Sequence, residues 1–210
     1  MAIKVESLPL GPVGANTYIV TDEASGLSAV IDCGAFTPQL REKLRDKTVK
    51  YIMLTHGHYD HILGVYDLKQ ATGAEVLIHK DDANCLYDSM ASLAFYNYGQ
   101  AQQPLNADRV LTEGDRIELG QTVFRVMNTK GHTEGSVLYI DEADRVIFSG
   151  DTLFAGSYGR TDLPGGDDGK MLNSLRRIKA LEGDYKIFTG HDHSTTLEEE
   201  RKFNVYLRSS

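Results

Sequence analysis

The sequence predicts a layered α/β fold, on two observations. Short runs of β-branched or alternating residues recur along the chain, separated by segments with helical periodicity. Several of those runs also end on a turn bearing histidine or aspartate, where sites on layered α/β proteins usually lie. The 210 residues, 41% hydrophobic and 25% charged, suit one substantial core, and a single domain over residues 1–210 is the simplest organisation.

Taken in order, Ile3-Lys4-Val5-Glu6-Ser7-Leu8 alternates apolar with polar and reads as a half-buried strand. Turn chemistry at Gly11-Pro12-Val13-Gly14 leads to strands over 17–21 and 27–32, joined by the hairpin signal Asp22-Glu23-Ala24-Ser25-Gly26. Thr37-Pro38 opens a short helix, with Thr37 as its cap and Leu40 and Leu44 on its apolar face. A strand over 49–54 runs into Thr55-His56-Gly57-His58-Tyr59-Asp60-His61, after which residues 62–68 have helical spacing and end near Gly73. Glu75–His79 reads as a strand, followed by a short helix from Asp81. Residues 88–108 have no clear period; their aromatics Phe95, Tyr96 and Tyr98 suit the core, a substrate lid or a dimer contact. Short strands follow at 116–119, 122–127, 136–140 and 145–148. A helix over 168–181 carries Met171, Leu172, Leu175 and Ile178 on one face; then come a strand over 185–188 and an amphipathic helix after Thr196.

Composition excludes several classes. Net charge is −8 with no long Lys/Arg cluster, which argues against a nucleic-acid partner. No apolar run reaches the ~18–20 residues a membrane span needs, and the first residues lack a signal-peptide pattern. Two cysteines, Cys33 and Cys85, are too few for a disulfide framework, so the expected compartment is the cytoplasm.

Three of the seven histidines and a carboxylate fall within residues 56–61, as His-x-His-x-Asp-His. Imidazole nitrogen and carboxylate oxygen are donors for a borderline divalent cation. Side chains two apart on an extended chain share a face, so His56 and His58 suit one ion. Adjacent Asp60 and His61 suit a second ion where the chain turns. Three later strands end in Gly131-His132, Gly150-Asp151 and Gly190-His191, where the glycine permits a tight turn that aims a ligand out of the sheet end. His79 also ends a strand but has neither glycine nor paired acid, and reads as a hydrogen-bonded structural histidine. His193 sits beside the site and reads as supporting a ligand or facing substrate.

These motifs, with Ser149-Gly150-Asp151-Thr152-Leu153-Phe154, resemble the metallo-β-lactamase-fold hydrolases, and within them the glyoxalase II-like (hydroxyacylglutathione hydrolase-like) branch. They occur in the family's order from Asn16-Thr17-Tyr18 to His191. The resemblance implies a four-layer αββα sandwich with two metal ions at one edge of its sheets. It assigns His56, His58 and His132 to the first ion and Asp60, His61 and His191 to the second, bridged by Asp151. Asp32 matches an aspartate that supports the site. Glu134 stands where members often have proline. Arg160 lies, with one residue inserted, where glyoxalase II has a glutathione-contacting lysine; it reads as a bidentate contact for a substrate carboxylate or as a partner of Asp162. The sequence runs about one helix past His191, so the branch expected is one lacking the C-terminal helical domain that supplies much of the glutathione site in the larger glyoxalase II enzymes.

The activity implied is hydrolysis of a small hydroxyacyl thioester by a hydroxide shared between two divalent ions, with Asp60 and Asp151 at the reacting centre. Zinc is the first expectation; iron and manganese suit the same donors. The resemblance extends to persulfide dioxygenases, which share a Gly-Arg-Thr-Asp stretch like residues 159–162 and would hold one iron on His56, His132 and Asp151. A lactonase uses the same hydroxide, and a binding module would use the fold without catalysis. A nuclease would be more basic, and a secreted β-lactamase would carry an export signal.

Overall fold

The computed structural model describes residues 3–99 and 101–210. The first sheet is built in chain order from β1 (Ile3–Leu10), β2 (Ala15–Asp22), β3 (Leu27–Ile31), β4 (Thr48–Met53), β5 (Glu75–His79) and β6 (Arg109–Leu111). Its first three strands are antiparallel and the rest run parallel from β3 onward. Parallel neighbours need crossovers. These are α1 (Pro38–Leu44) before β4, α2 (Tyr59–Ile62) and α3 (Val65–Thr72) before β5, and a 3-10 helix (Lys80–Leu86) with α4 (Ala94–Tyr98) before β6.

The second sheet comprises β7 (Arg116–Leu119), β8 (Thr122–Asn128), β9 (Val137–Asp141) and β10 (Val146–Gly150), then β13 (Lys186–Thr189) and β14 (Thr195–Thr196). Between β10 and β13 lie the small hairpin β11 (Leu153–Phe154) and β12 (Ser157–Tyr158) and the helix α5 (Asp168–Lys179). α6 (Leu197–Phe203) and α7 (Val205–Ser209) follow β14.

Period-two alternation sorts the strand residues into three apolar layers. Ala29, Ile31, Met53 and Leu77 face Phe124, Val126, Tyr139 and Phe148 between the sheets. Val30, Ile52, Val76 and Ile78 point the other way, onto Leu40, Leu44, Val65 and Leu68 of the helices. Leu138, Ile140 and Ile147 pack on Met171, Leu175 and Ile178 of α5. The order helix, sheet, sheet, helix is the predicted αββα sandwich. Among the described residues no helix is long and apolar enough to cross a membrane.

The predicted elements mostly stand, with three corrections. The helical run after His61 is broken at Gly64, because that residue is wedged against another segment: a Cβ there would meet Phe36 N at 2.5 Å and Cys33 Sγ at 2.7 Å. Leu172 lies on the exposed side of α5, and Ser174 takes its place on the buried face. Phe95 and Tyr96 are 57% and 67% exposed, so they do not join the core; the side chain of Tyr98 falls outside the described residues. Thr37 caps α1 as expected, accepting from Leu40 N at 3.2 Å, and Gly73 ends α3 in the left-handed conformation.

Candidate metal centre

The expected ligands arrive from separate strand ends and meet between the sheets at one edge. His56 and His58 follow β4, where Leu54 N still bonds Leu77 O at 2.9 Å and Thr55 O accepts from Val137 N of the second sheet at 2.8 Å. The stretch is therefore clamped to both sheets before its histidines begin. His58 stands at the N-terminal boundary of α2 without a side-chain capping bond, and that helical turn brings Asp60 Oδ2 to 3.6 Å from His61 Nε2. Gly131 (φ 142°) lies so close to Met171 that a Cβ would contact its backbone at 2.5 Å. It carries the chain into His132, whose Nδ1 donates to Arg160 O at 2.7 Å. A carbonyl only accepts, so the proton is on Nδ1 and Nε2 keeps a lone pair for an ion.

Three groups of side chains could each hold a cation, with donor atoms within 4.8 Å of one another: His56, His58 and His132; His56, His61 and Asp151; Asp60, His61 and His191. Asp151 joins the first group to the last. Its Oδ2 lies 3.6 Å from His132 Nε2 and 3.5 Å from His191 Nε2, and its Oδ1 lies 3.3 Å from His61 Nε2. Two atoms decide whether the cluster suits a metal. His56 Nε2 and Asp151 Oδ1 are buried, and neither has a hydrogen-bond partner. Buried polar atoms without a hydrogen bond are costly, and here both residues belong to one group, with His61, that could hold a cation. The cluster fits a metal site.

The electrostatics divide the donor set: His56 and His58 are lowered, whereas His61 and His191, although burial opposes it, are raised by the carboxylates beside them. Burial, reinforced by the neighbouring imidazoles, pushes His56 well below the usual histidine range and His58 down to about 3, so both are neutral donors. Burial pushes the Asp151 carboxyl up, but His61 beside it outweighs that and holds it well below the usual range. His61 is buried as well, yet Asp151 and Asp32 raise it well above the ordinary value. Burial opposes the charge on Asp60 too, and the bond from His191 overcomes it, so Asp60 is lowered.

The site opens into a cavity of about 410 Å³ lined by Tyr59, Leu93, Asn97, Phe154, Arg160 and Leu163 around the metal-facing side chains. Arg160 reaches this cavity at its rim, with its guanidinium forked onto Asp162 at 2.7 Å and 2.7 Å. His193 does not reach it: the ring is exposed, and its backbone carbonyl serves instead, accepting from Thr189 Oγ1 at 3.2 Å. The reason is Asp192, whose positive φ of 59° breaks the extended chain, so that His191 and His193 do not share a face. His79 is a buried helix cap accepting from Asp81 N at 3.3 Å. Glu134, where a proline was the family's habit, forms ion pairs with Lys130 at 3.4 Å and with Lys170.

Some supporting residues had no signal by type alone. Asn16 donates from Nδ2 to Thr189 O and Asp192 O, both at 3.0 Å, and the Tyr18 hydroxyl donates to Thr189 O at 2.6 Å. Together they fix the turn that presents His191 from across the molecule.

The family model described as the metallo-beta-lactamase superfamily matches residues 10–191. The chain belongs to that superfamily. Among superfamily relatives, an uncharacterised protein of Aquifex aeolicus is 37% identical over 98% of this chain and 97% of its own. Hydroxyacylglutathione hydrolase GloC of Haemophilus influenzae is 31% identical over 99% of both. Two solved structures are similar throughout. BLEG-1, a B3 metallo-beta-lactamase, has a TM-score of 0.91 and 32% identity, covering 97% of this chain and 99% of that one. TTHA1623 in a di-iron-bound form has a TM-score of 0.84 and 34% identity, covering 96% and 99%.

Proposed function

We propose that this protein is a two-metal hydrolase that cleaves a small hydroxyacyl thioester in the manner of glyoxalase II. The observation that carries the reading is the convergence of His56, His58, His132, Asp60, His61, His191 and Asp151 on one centre, with two buried polar atoms left for an ion to satisfy. The likeness to GloC along the whole chain supports the thioester, and the di-iron-bound neighbour supports two ions.

His56, His58 and His132 would hold the first ion, Asp60, His61 and His191 the second, with Asp151 shared. Ions there would supply an activated water and a Lewis acid for the carbonyl oxygen. The remaining work falls to the chain. His56 and His58 are neutral donors, Asp151 and Asp60 arrive ionised, and the protons favoured on His61 and His191 would leave as an ion binds. Leu93, Phe154 and Leu163 give the cavity an apolar wall for an acyl group, while Arg160 at the rim offers a cation to an acidic thiol carrier. The donor set does not choose among zinc, iron and manganese.

A second reading follows from the likeness to BLEG-1: opening of a β-lactam, which needs the same attack on a carbonyl. The deciding experiment is metal analysis of protein purified without air, then thiol release from S-lactoylglutathione and other hydroxyacyl thioesters, with a penicillin and a lactone in parallel. Two ions per chain and thiol release support the thioesterase. Release from none of the thioesters overturns it, in favour of the β-lactamase or lactonase if a ring opens. One iron per chain with oxygen uptake on glutathione persulfide overturns it in favour of a dioxygenase.

A further inference from the structure

Behind the site, outside the set of metal-facing side chains, lies a buried carboxylate with no part in the reading above. Asp82, on the 3-10 helix after β5, is 3% exposed. Its Oδ2 accepts from Gly57 N at 2.8 Å and from Thr133 Oγ1 at 2.7 Å, and its Oδ1 accepts from Gly135 N at 2.8 Å. Gly57 lies between His56 and His58, and Thr133 directly follows His132. One carboxylate thus ties together the two chain segments that carry all three histidines of the first group, although those segments are 74 residues apart between His58 and His132.

The fit is close on both sides. A Cβ on Gly135 would meet Asp82 Cγ at 2.4 Å, and a Cβ on Gly57 would meet Cys85 Cβ, on the same 3-10 helix, at 2.5 Å. Both loops therefore press their backbones onto this helix, and Asp82 supplies acceptors that their N–H groups would otherwise lack. The neighbouring Asp81 adds an outer tie, pairing with Lys130 of the same His132 loop at 3.0 Å. His191 and His61 have no such link to Asp82; their supports are Asn16, Tyr18 and Asp32.

We propose that Asp82 is a positioning residue for the first metal ion alone, setting the spacing of His56, His58 and His132 through the backbone of Gly57 and the Thr133–Gly135 turn. It touches neither the ion nor the substrate. Hydrogen bonds behind metal ligands commonly govern affinity by about 10–100-fold, and this one acts on the loops instead of the rings. The inference rests on the two-ion reading.

The test is cobalt(II) titration of metal-free protein, followed by its visible absorption, in three backgrounds. Wild-type protein is expected to take up two ions. In His191→Ala, where the first ion remains, adding Asp82→Ala should weaken cobalt binding by about 10–100-fold. In His132→Ala, where the second ion remains, the same addition should change binding by less than about threefold. Thr133→Val removes one donor while keeping the side chain's shape, so it should show the same selectivity with a smaller loss and a melting temperature close to wild type. Equal weakening in both backgrounds, or none in either, overturns the proposal. A wild-type chain that binds a single ion overturns the two-ion reading itself, and this inference with it.

Discussion

Asp32 Oδ2 sits 2.8 Å from His61 Nδ1, with both groups buried between the sheets. The same carboxylate accepts from Thr55 N at 2.8 Å and Thr55 Oγ1 at 2.7 Å, and Asp32 itself takes a left-handed φ of 56° to reach them. A bond at Nδ1 turns Nε2 toward Asp151 and His191, 3.3 Å from each. The strained backbone is thus paired with a buried network that stabilises it. Replacing Asp32 with Ala should weaken the second ion by about 10–100-fold, read by competition with a chelating dye. Unchanged affinity would show that the ring needs no orienting partner.

Metal removal should destabilise the protein. Without an ion, His56 Nε2 and Asp151 Oδ1 stay buried without a hydrogen bond, Asp151 Oδ1 keeping only its 3.3 Å ion pair with His61. An ion that binds only the folded chain adds about 2.7 kcal/mol at 100 times its dissociation constant, which in a chain of this size raises the melting temperature by roughly 5–10 °C per ion. Calorimetry before and after chelation checks this, and adding zinc or manganese back should restore the transition. A melting temperature indifferent to both would count against any metal at this centre.

Acid sensitivity should be traceable to Asp22. It caps the β2–β3 turn, accepting from Ser25 N at 3.0 Å, and reaches the other sheet's β7–β8 turn through Gln121 N at 3.2 Å and Thr122 Oγ1 at 3.1 Å. Burial pushes its carboxyl up, but the Ser25 hydroxyl, donating at 2.5 Å, outweighs that together with these bonds and holds it below the usual value. A depressed folded pKa means stability that is fully present above the unfolded value of about 4 and is lost as pH falls through the folded one. Asp22→Asn should therefore be less stable than wild type by a constant amount from about pH 5 to 8. Below about pH 4 the gap should close. Urea unfolding of both proteins, metal-free, measures the difference; a gap that widens in acid would contradict the assignment.

The site was legible where chemistry and backbone shared one short signal. Strand, then glycine, then ligand marked His132, Asp151 and His191, because the tight turn and the donor are neighbours in sequence. His193 lies two residues beyond a ligand, but the left-handed Asp192 intervenes and leaves it exposed, and what reaches the turn that carries His191 is its carbonyl, held by Thr189 Oγ1. Asp82 gave no signal, since it looks like any acid opening a short helix and its three partners lie in loops far along the chain. The first strand was readable from its alternation, as at Ile3, Lys4 and Leu8, whereas at Ala29, Val30 and Ile31 an unbroken apolar run marked a strand without saying which layer each side chain joins, and the 88–98 segment was not readable. Its one buried wall residue, Leu93, is set by a φ of 66° that no periodicity encodes.

Arg160 separates two roles within one residue. Its carbonyl holds His132 Nδ1 at 2.7 Å, while its side chain is exposed and spends its fork on Asp162. Substitution by Ala keeps the carbonyl, so metal content and the rate at saturating substrate should be unchanged. An exposed pair of this kind is weakly held, so under the proposed function the guanidinium would exchange Asp162 for a substrate carboxylate. Arg160→Ala should therefore raise KM several-fold for a thioester whose carrier bears a carboxylate and leave KM alone for a neutral one. If both thioesters behave as with wild type, the Asp162 pair is purely structural. If metal is lost, the side chain rather than the backbone is what holds the His132 loop.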